Sequence, residues 1–142
     1  DYAKAMDHVH SVIAAIEPHD SVERFEKLGC QVILAEAKFL DPKTVEAGGT
    51  RITARRFVVA TGSRAFIPPI PGLTDTPFLT NESIFENRVA PTHLIIIGGG
   101  PIGLEMAHAH VRLGCKVTVV EGKTIMPKDD PELVAIVREA VV

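Results

Sequence analysis

Apolar positions in the first third of the 142-residue chain follow two periods, with glycine and proline breaks between them. Tyr2, Met6, Val9, Ile13 and Ile16 recur at three- and four-residue steps, which predicts an amphipathic helix over Tyr2 to Ile16, ended by Pro18. Asp20 with Glu23 three positions on resembles a capping box, so a short helix is expected to about Leu28, with Gly29 as its stop. Gln31 to Leu34 reads as an apolar strand. Lys43 to Glu46 and Arg51 to Thr53 flank Ala47-Gly48-Gly49-Thr50 and read as a hairpin. Phe57 to Ala60 is a short apolar run, expected to be a strand buried on both faces.

The pattern changes at Ile67 to Gly72, where three prolines make a stiff, extended connector. Thr80 or Asn81 is expected to cap one helical turn through Phe85. His93 to Ile97 and Lys116 to Val120 read as buried-type strands on either side of a helix over Pro101 to Leu113, which Gly114 stops. Asp129 or Asp130 caps a last helix, with Pro131 at its first position. The expected class is α/β: a parallel sheet with helices, plus a small antiparallel element.

Between the strand ending at Ile97 and the following helix lies Gly98-Gly99-Gly100-Pro101-Ile102-Gly103, which fits G-x-G-x-x-G. Gly98 allows a tight turn, Gly100 leaves room for a pyrophosphate, and Gly103 lets helix and strand approach closely. The helix N-terminus offers free amides and a positive dipole end to phosphates. Glu121, at the end of the next strand and roughly 20 residues beyond the turn, can accept hydrogen bonds from both adenosine ribose hydroxyls. A carboxylate there repels a 2′-phosphate, so NAD(H) is expected over NADP(H), with Lys123 close enough to weaken that preference.

Composition narrows the classes. Hydrophobic residues are 46% and charged residues 23%, which excludes wholesale disorder. A net charge of −3 and 5% aromatics give no field or stacking platform for nucleic acid, and no apolar run is long enough for a bilayer. Two cysteines suit a reducing, cytoplasmic setting. Cys30 and Cys115 have no C-x-x-C or C-x-x-x-x-C spacing and read as packed small residues. His8 with His10, and His108 with His110, lie two apart on helices, so neither pair makes a metal clamp; His19 reads as a helix-entry residue. Asp129-Asp130 is explained by capping, and Arg55-Arg56 is too small a charge for nucleic acid. No metal site is expected.

Taken with Val58-Val59-Ala60-Thr61-Gly62-Ser63, the glycine turn makes the chain resemble the class I pyridine nucleotide–disulfide oxidoreductases, the flavoenzymes that include dihydrolipoamide dehydrogenase, glutathione reductase and mercuric reductase. Ala-Thr-Gly-Ser followed by Ile67-Pro68-Pro69-Ile70-Pro71-Gly72 is similar to that family's exit from its FAD domain, and Gly98 to Glu105 to its NAD turn. Pro18-His19-Asp20-Ser21-Val22-Glu23-Arg24-Phe25 looks most like the mercuric-reductase-like members. The resemblance implies partial Rossmann-like FAD and NAD domains: residues 1–69 closing an FAD domain, 70–92 a connector, and 93–142 the first βαβ half of an NAD domain.

On that resemblance Gly98, Gly100 and Gly103 cradle the NAD pyrophosphate, with backbone contacts from Pro101 and Ile102. Glu105 faces the nicotinamide end, Glu121 holds the ribose, Thr61 and Gly62 lie against FAD, and the Ala37 backbone meets the flavin adenine. For Ala37 the alternative is a strand residue chosen for packing. The resemblance further implies that the chain is a middle piece: an FAD-binding G-x-G-x-x-G and a C-x-x-x-x-C pair lie before it. A C-terminal domain with a homodimer interface and a His–Glu pair lies after it. The expected function is part of an enzyme passing hydride from nicotinamide to flavin and on to a disulfide, thiol or metal acceptor, the piece alone being inactive. An NADH oxidase-type flavoprotein without the disulfide, and a non-catalytic nucleotide-binding module, are the alternatives.

Overall fold

The computed structural model describes residues 1–141. The class is α/β, with a two-stranded parallel sheet, a three-stranded antiparallel sheet and four α-helices among the described residues. The backbone divides into two compact units, Ser11–Ile67, and Asp1–His10 together with the chain from Pro68 onward. The first ten residues thus group with the later part of the chain, a long-range association that local periodicity does not carry.

Helix α1 covers Tyr2–Ile16, as its apolar spacing predicts. After a 3₁₀ turn over Glu17–Asp20 comes α2, Val22–Lys27. The cap of α2 is Ser21 rather than Asp20: the Ser21 Oγ accepts from the Arg24 N–H at 3.3 Å, while Asp20 is taken up in the 3₁₀ turn. Gly29 ends this segment at φ +90°, the left-handed stop expected of it.

The antiparallel sheet orders β1 (Ala37–Asp41), β2 (Thr44–Ala47) and β3 (Thr50–Thr53). Strands β2 and β3 form the expected hairpin, with Ala47 opposite Thr50 and Gly48 and Gly49 at φ +57° and +78°. Two successive positive φ values are what a type I′ turn requires, and glycine supplies them without strain. Strand β1 was not legible in the apolar pattern, and its five residues are exposed. It exists because the turn after Asp41 returns it to β2, with Asp41 Oδ1 accepting from the Lys43 N–H at 2.7 Å. Two expected strands are absent. Gln31 to Leu34 and Phe57 to Ala60 have no strand hydrogen bonding, and Val58 is 91% exposed rather than buried. An apolar run becomes a strand only when a neighbour completes its ladder, and neither run has one among the described residues.

In the other unit, β4 (His93–Ile97) and β5 (Lys116–Val120) pair in parallel, with Leu94 opposite Val117 and Ile97 opposite Val120. They are joined by α3, Pro101–Arg112, which packs on both strands and is stopped by Gly114 at φ +88°. The expected helical turn is the 3₁₀ segment Ser83–Glu86, whose N-cap position is Glu82, without a side-chain cap. Neither Thr80 nor Asn81 is its cap; Thr80 braces the approach, its Oγ1 accepting from the N–H groups of Glu82 and Ser83. Helix α4 spans Pro131–Val141, with Asp130 Oδ1 accepting from the Glu132 N–H at 2.9 Å. Asp130, not Asp129, is therefore its cap.

A small core in this unit joins Tyr2, Met6 and Cys115, with Leu113 and Val117 packed against it. His110 is buried beside it, 3% exposed. Its Nδ1 lies 2.8 Å from the Met106 carbonyl oxygen, which can only accept, so Nδ1 carries the proton. In the neutral imidazole Nε2 then accepts from the Tyr2 hydroxyl at 3.1 Å. Burial pushes the Tyr2 hydroxyl pKa up, partly offset by a hydrogen bond with Asn87. Helix α1 is held to the 3₁₀ turn Ser83–Glu86 by His10, whose Nε2 lies 2.9 Å from the Phe85 carbonyl, and to the residues just after it by an Asp7–Arg88 ion pair. No helix among the described residues is long and apolar enough to cross a membrane.

Candidate functional site: the glycine turn between β4 and α3

The turn follows from its glycines one at a time. Gly98 has φ +115°, closed to ordinary side chains, and its N–H donates to the Val120 carbonyl at 2.9 Å. At Gly103 a Cβ would lie 2.2 Å from the Gly98 carbonyl oxygen, a backbone atom that cannot swing aside. This is the close helix–strand approach that the third glycine of the pattern serves. A Cβ at Gly100 would meet nothing within 4 Å, so the space beside that backbone is open to a ligand.

Gly100 is the N-cap of α3 and Pro101 its first residue. Proline has no N–H, so of Pro101 and Ile102 only Ile102 has a backbone donor to offer at the positive end of the helix. Leu104 already donates to the Gly100 carbonyl at 3.1 Å. Glu105, one turn in, is exposed.

Glu121 lies just past β5, and its carboxylate turns back onto the glycine turn. Its Oε2 accepts from the Gly99 N–H and its Oε1 from the Lys123 N–H, both at 2.9 Å. These two backbone donors, Gly99 first, hold the Glu121 carboxyl below the usual glutamate range. Each oxygen retains a second lone pair. The Gly99 carbonyl in turn accepts from the Met126 N–H at 2.9 Å, and Arg138 Nη2 donates to Thr124 Oγ1 at 2.8 Å. The loop 121–126 is thus pinned to the turn and to α4. Beside it a groove of about 510 Å³ runs between α3, β5 and α4, lined by residues that include Leu104, Val119, Glu121, Lys123 and Arg138.

Gly98, Gly100, Ile102, Gly103 and Glu121 therefore gather at one end of the parallel pair. The sequence pattern missed Gly99 and Met126. A Cβ at Gly99 would meet Ile125 Cγ2 at 2.9 Å and Glu121 Cβ at 3.2 Å. The triple glycine was a signal for Gly99; nothing local marked Met126. Ala37, Thr61 and Gly62 belong to the other unit. Ala37 is an exposed β1 residue opposite Ala47, and Thr61 and Gly62 are exposed in an irregular segment, Gly62 at φ +67°. Among the described residues no group of three or more His, Cys, Asp or Glu side chains is placed to hold a metal. Cys30 is exposed, contrary to the packed position expected of it, and Cys115 is buried.

Comparison with known proteins places this geometry in a family. The family model for pyridine nucleotide-disulphide oxidoreductases matches residues 3–142. The chain belongs to that family. It is 32% identical over 142 residues to a mercuric reductase of Bacillus cereus, covering 99% of this chain and 22% of that protein. A mercuric reductase of Staphylococcus aureus is 29% identical, with 99% of this chain and 26% of that protein covered. Among solved structures, the Cu(II) complex of the HOCl-induced flavoprotein disulfide reductase RclA from Escherichia coli superposes with a TM-score of 0.81 at 26% identity. That match covers 99% of this chain and 33% of the RclA chain. The chain thus spans a third or less of the length of these relatives.

Proposed function

We propose that the Gly98–Gly103 turn and Glu121 bind the pyrophosphate and adenosine ribose of a nicotinamide dinucleotide, NAD(H) in preference to NADP(H), within a flavin-dependent oxidoreductase. The observation that carries this reading is the Glu121 carboxylate, held ionised at the edge of the turn by Gly99 and Lys123, beside the open approach at Gly100. Its free lone pairs suit the two ribose hydroxyls. A 2′-phosphate in the same place would meet a like charge, a preference that Lys123 tempers.

In this reading Gly98 shapes the turn, Ile102 donates to the pyrophosphate, Pro101 fixes the start of the helix, and Gly103 keeps the helix close. Glu105 faces the nicotinamide end. Ala37, Thr61 and Gly62 belong to an FAD site; their side of the chain supports it through family membership. Residues 1–69 close the FAD domain, 70–92 connect, and 93–142 begin the NAD domain. When bound, the nicotinamide would supply hydride-donor chemistry and FAD the redox centre that takes it up. The whole protein, a homodimer, delivers the electrons to a thiol, disulfide or metal-ion acceptor, the class to which the mercuric and disulfide reductases among its relatives point.

The test is Glu121→Arg in the whole protein, with kcat/KM measured for both nucleotides. Losing the ribose hydrogen bonds and gaining a cation are expected to move preference toward NADPH by about 1–3 kcal/mol, roughly five- to 150-fold. Equal wild-type preference, or no change on substitution, refutes the role of Glu121.

A further inference from the structure

Met126 is the one residue other than glycine with a positive φ among the described residues, at +46°. Methionine gains nothing from that left-handed conformation, and Pro127 after it biases it toward extended backbone instead. Something outside the local sequence must hold it. Its N–H donates to the Gly99 carbonyl at 2.9 Å, and its carbonyl accepts from the Asp129 N–H at 3.2 Å. Gly99 is buried, and its own N–H donates to Glu121 Oε2. One peptide residue thus receives both ends of the 121–126 segment, the acid at one end and Met126 at the other. The fit is close: a Cβ at Gly99 would strike Ile125, the residue before Met126. Backbone strain persists only where its surroundings over-determine it, and it concentrates at ligand sites.

We infer that Met126 is a positioning residue whose strained backbone, locked to Gly99, holds the Glu121 carboxylate at the edge of the glycine turn. Without the lock, Glu121 keeps three rotatable bonds that a ligand would have to freeze. With it, the acid meets a ligand already ordered. The functional consequence rests on the nucleotide reading above, but the lock itself can be measured with no nucleotide present.

The experiment uses the 142-residue chain and two variants, Met126→Gly and Met126→Val, read by NMR. Glycine accepts a positive φ freely, whereas a β-branched side chain resists it. In the wild type the Glu121 Cδ resonance is expected to titrate below the usual glutamate range, with the Gly99 amide protected from exchange. Met126→Val should speed Gly99 exchange by about threefold or more and raise the Glu121 midpoint toward the ordinary value. Met126→Gly should keep the low midpoint and leave Gly99 equally or better protected. If Met126 served stability alone, the Val variant would lower global stability while the Glu121 midpoint stayed fixed; that outcome overturns the inference. So does a Gly variant that behaves as expected for Val, or a wild-type Glu121 that titrates normally. Should the Val variant not fold, the Gly variant decides alone. A lock intact in these measurements, with no NADH binding to the whole protein, would refute the nucleotide reading and leave this inference standing.

Discussion

Replacing Gly103 by alanine sets two effects of opposite sign against each other. Gly103 lies within α3, and in an unconstrained helix interior Gly→Ala stabilises by roughly 0.8–1 kcal/mol. Here the new Cβ would sit 2.2 Å from the Gly98 carbonyl oxygen and 3.4 Å from Ile96 Cγ2. The first distance is about 1 Å short of a tolerable contact, and the Gly98 oxygen is a backbone atom, so relief requires α3 to lift from the end of β4. Overpacking of this kind costs about 1–3 kcal/mol, and a rigid backbone clash belongs at or above the upper end. The net expectation is a loss of about 2 kcal/mol, read as a lowered urea midpoint at unchanged slope. Gly100→Ala is the control: its φ of −77° suits alanine and the space is open, so stability should stay within ~0.5 kcal/mol of the wild type. A stabilised Gly103→Ala, or a Gly100→Ala that is the more damaged of the two, would refute the assignment of separate packing and approach roles.

Other substitutions probe the support around the site. Tyr2→Phe should cost about 1–3 kcal/mol in the same assay, because it leaves the buried His110 Nε2 without its donor. The Glu121 pKa is depressed in the folded chain, so its stabilising share is complete above the ordinary glutamate range and disappears as pH falls through the lowered value. Urea midpoints followed against pH should show that acid-side loss, and Glu121→Gln should flatten it. Ser21→Ala should loosen α2 by about 1 kcal/mol, seen as faster exchange of the Arg24 amide, since Ser21 Oγ is its acceptor.

The sequence revealed the parallel unit more fully than the antiparallel one. In β4–α3–β5 the strand periodicity, the glycine turn and the Gly114 stop agree, and each acts locally. Around β1 the signals were weak: Lys38 and Asp41 break up an apolar pattern, and the strand depends on pairing with β2 rather than on a buried face. Gln31 to Leu34 and Phe57 to Ala60 failed for the converse reason, apolar runs with no ladder to join. The grouping of Asp1–His10 with the later unit rests on Tyr2–His110, His10–Phe85 and Asp7–Arg88, contacts between residues far apart in sequence that no local pattern encodes. The same holds for the site. Gly98, Gly100, Gly103 and Glu121 were readable by spacing, whereas the Gly99–Met126 hydrogen bond appears only once the chain has folded.

The central claim is that the glycine turn and Glu121 form a dinucleotide site, and titration of the isotope-labelled whole protein with NADH tests it most directly. Amide shifts should concentrate at Gly98 to Gly103 and Glu121 to Lys123, and should weaken when Glu121 is replaced by Gln. Shifts clustered elsewhere, or none at millimolar NADH in the folded whole protein, would contradict it.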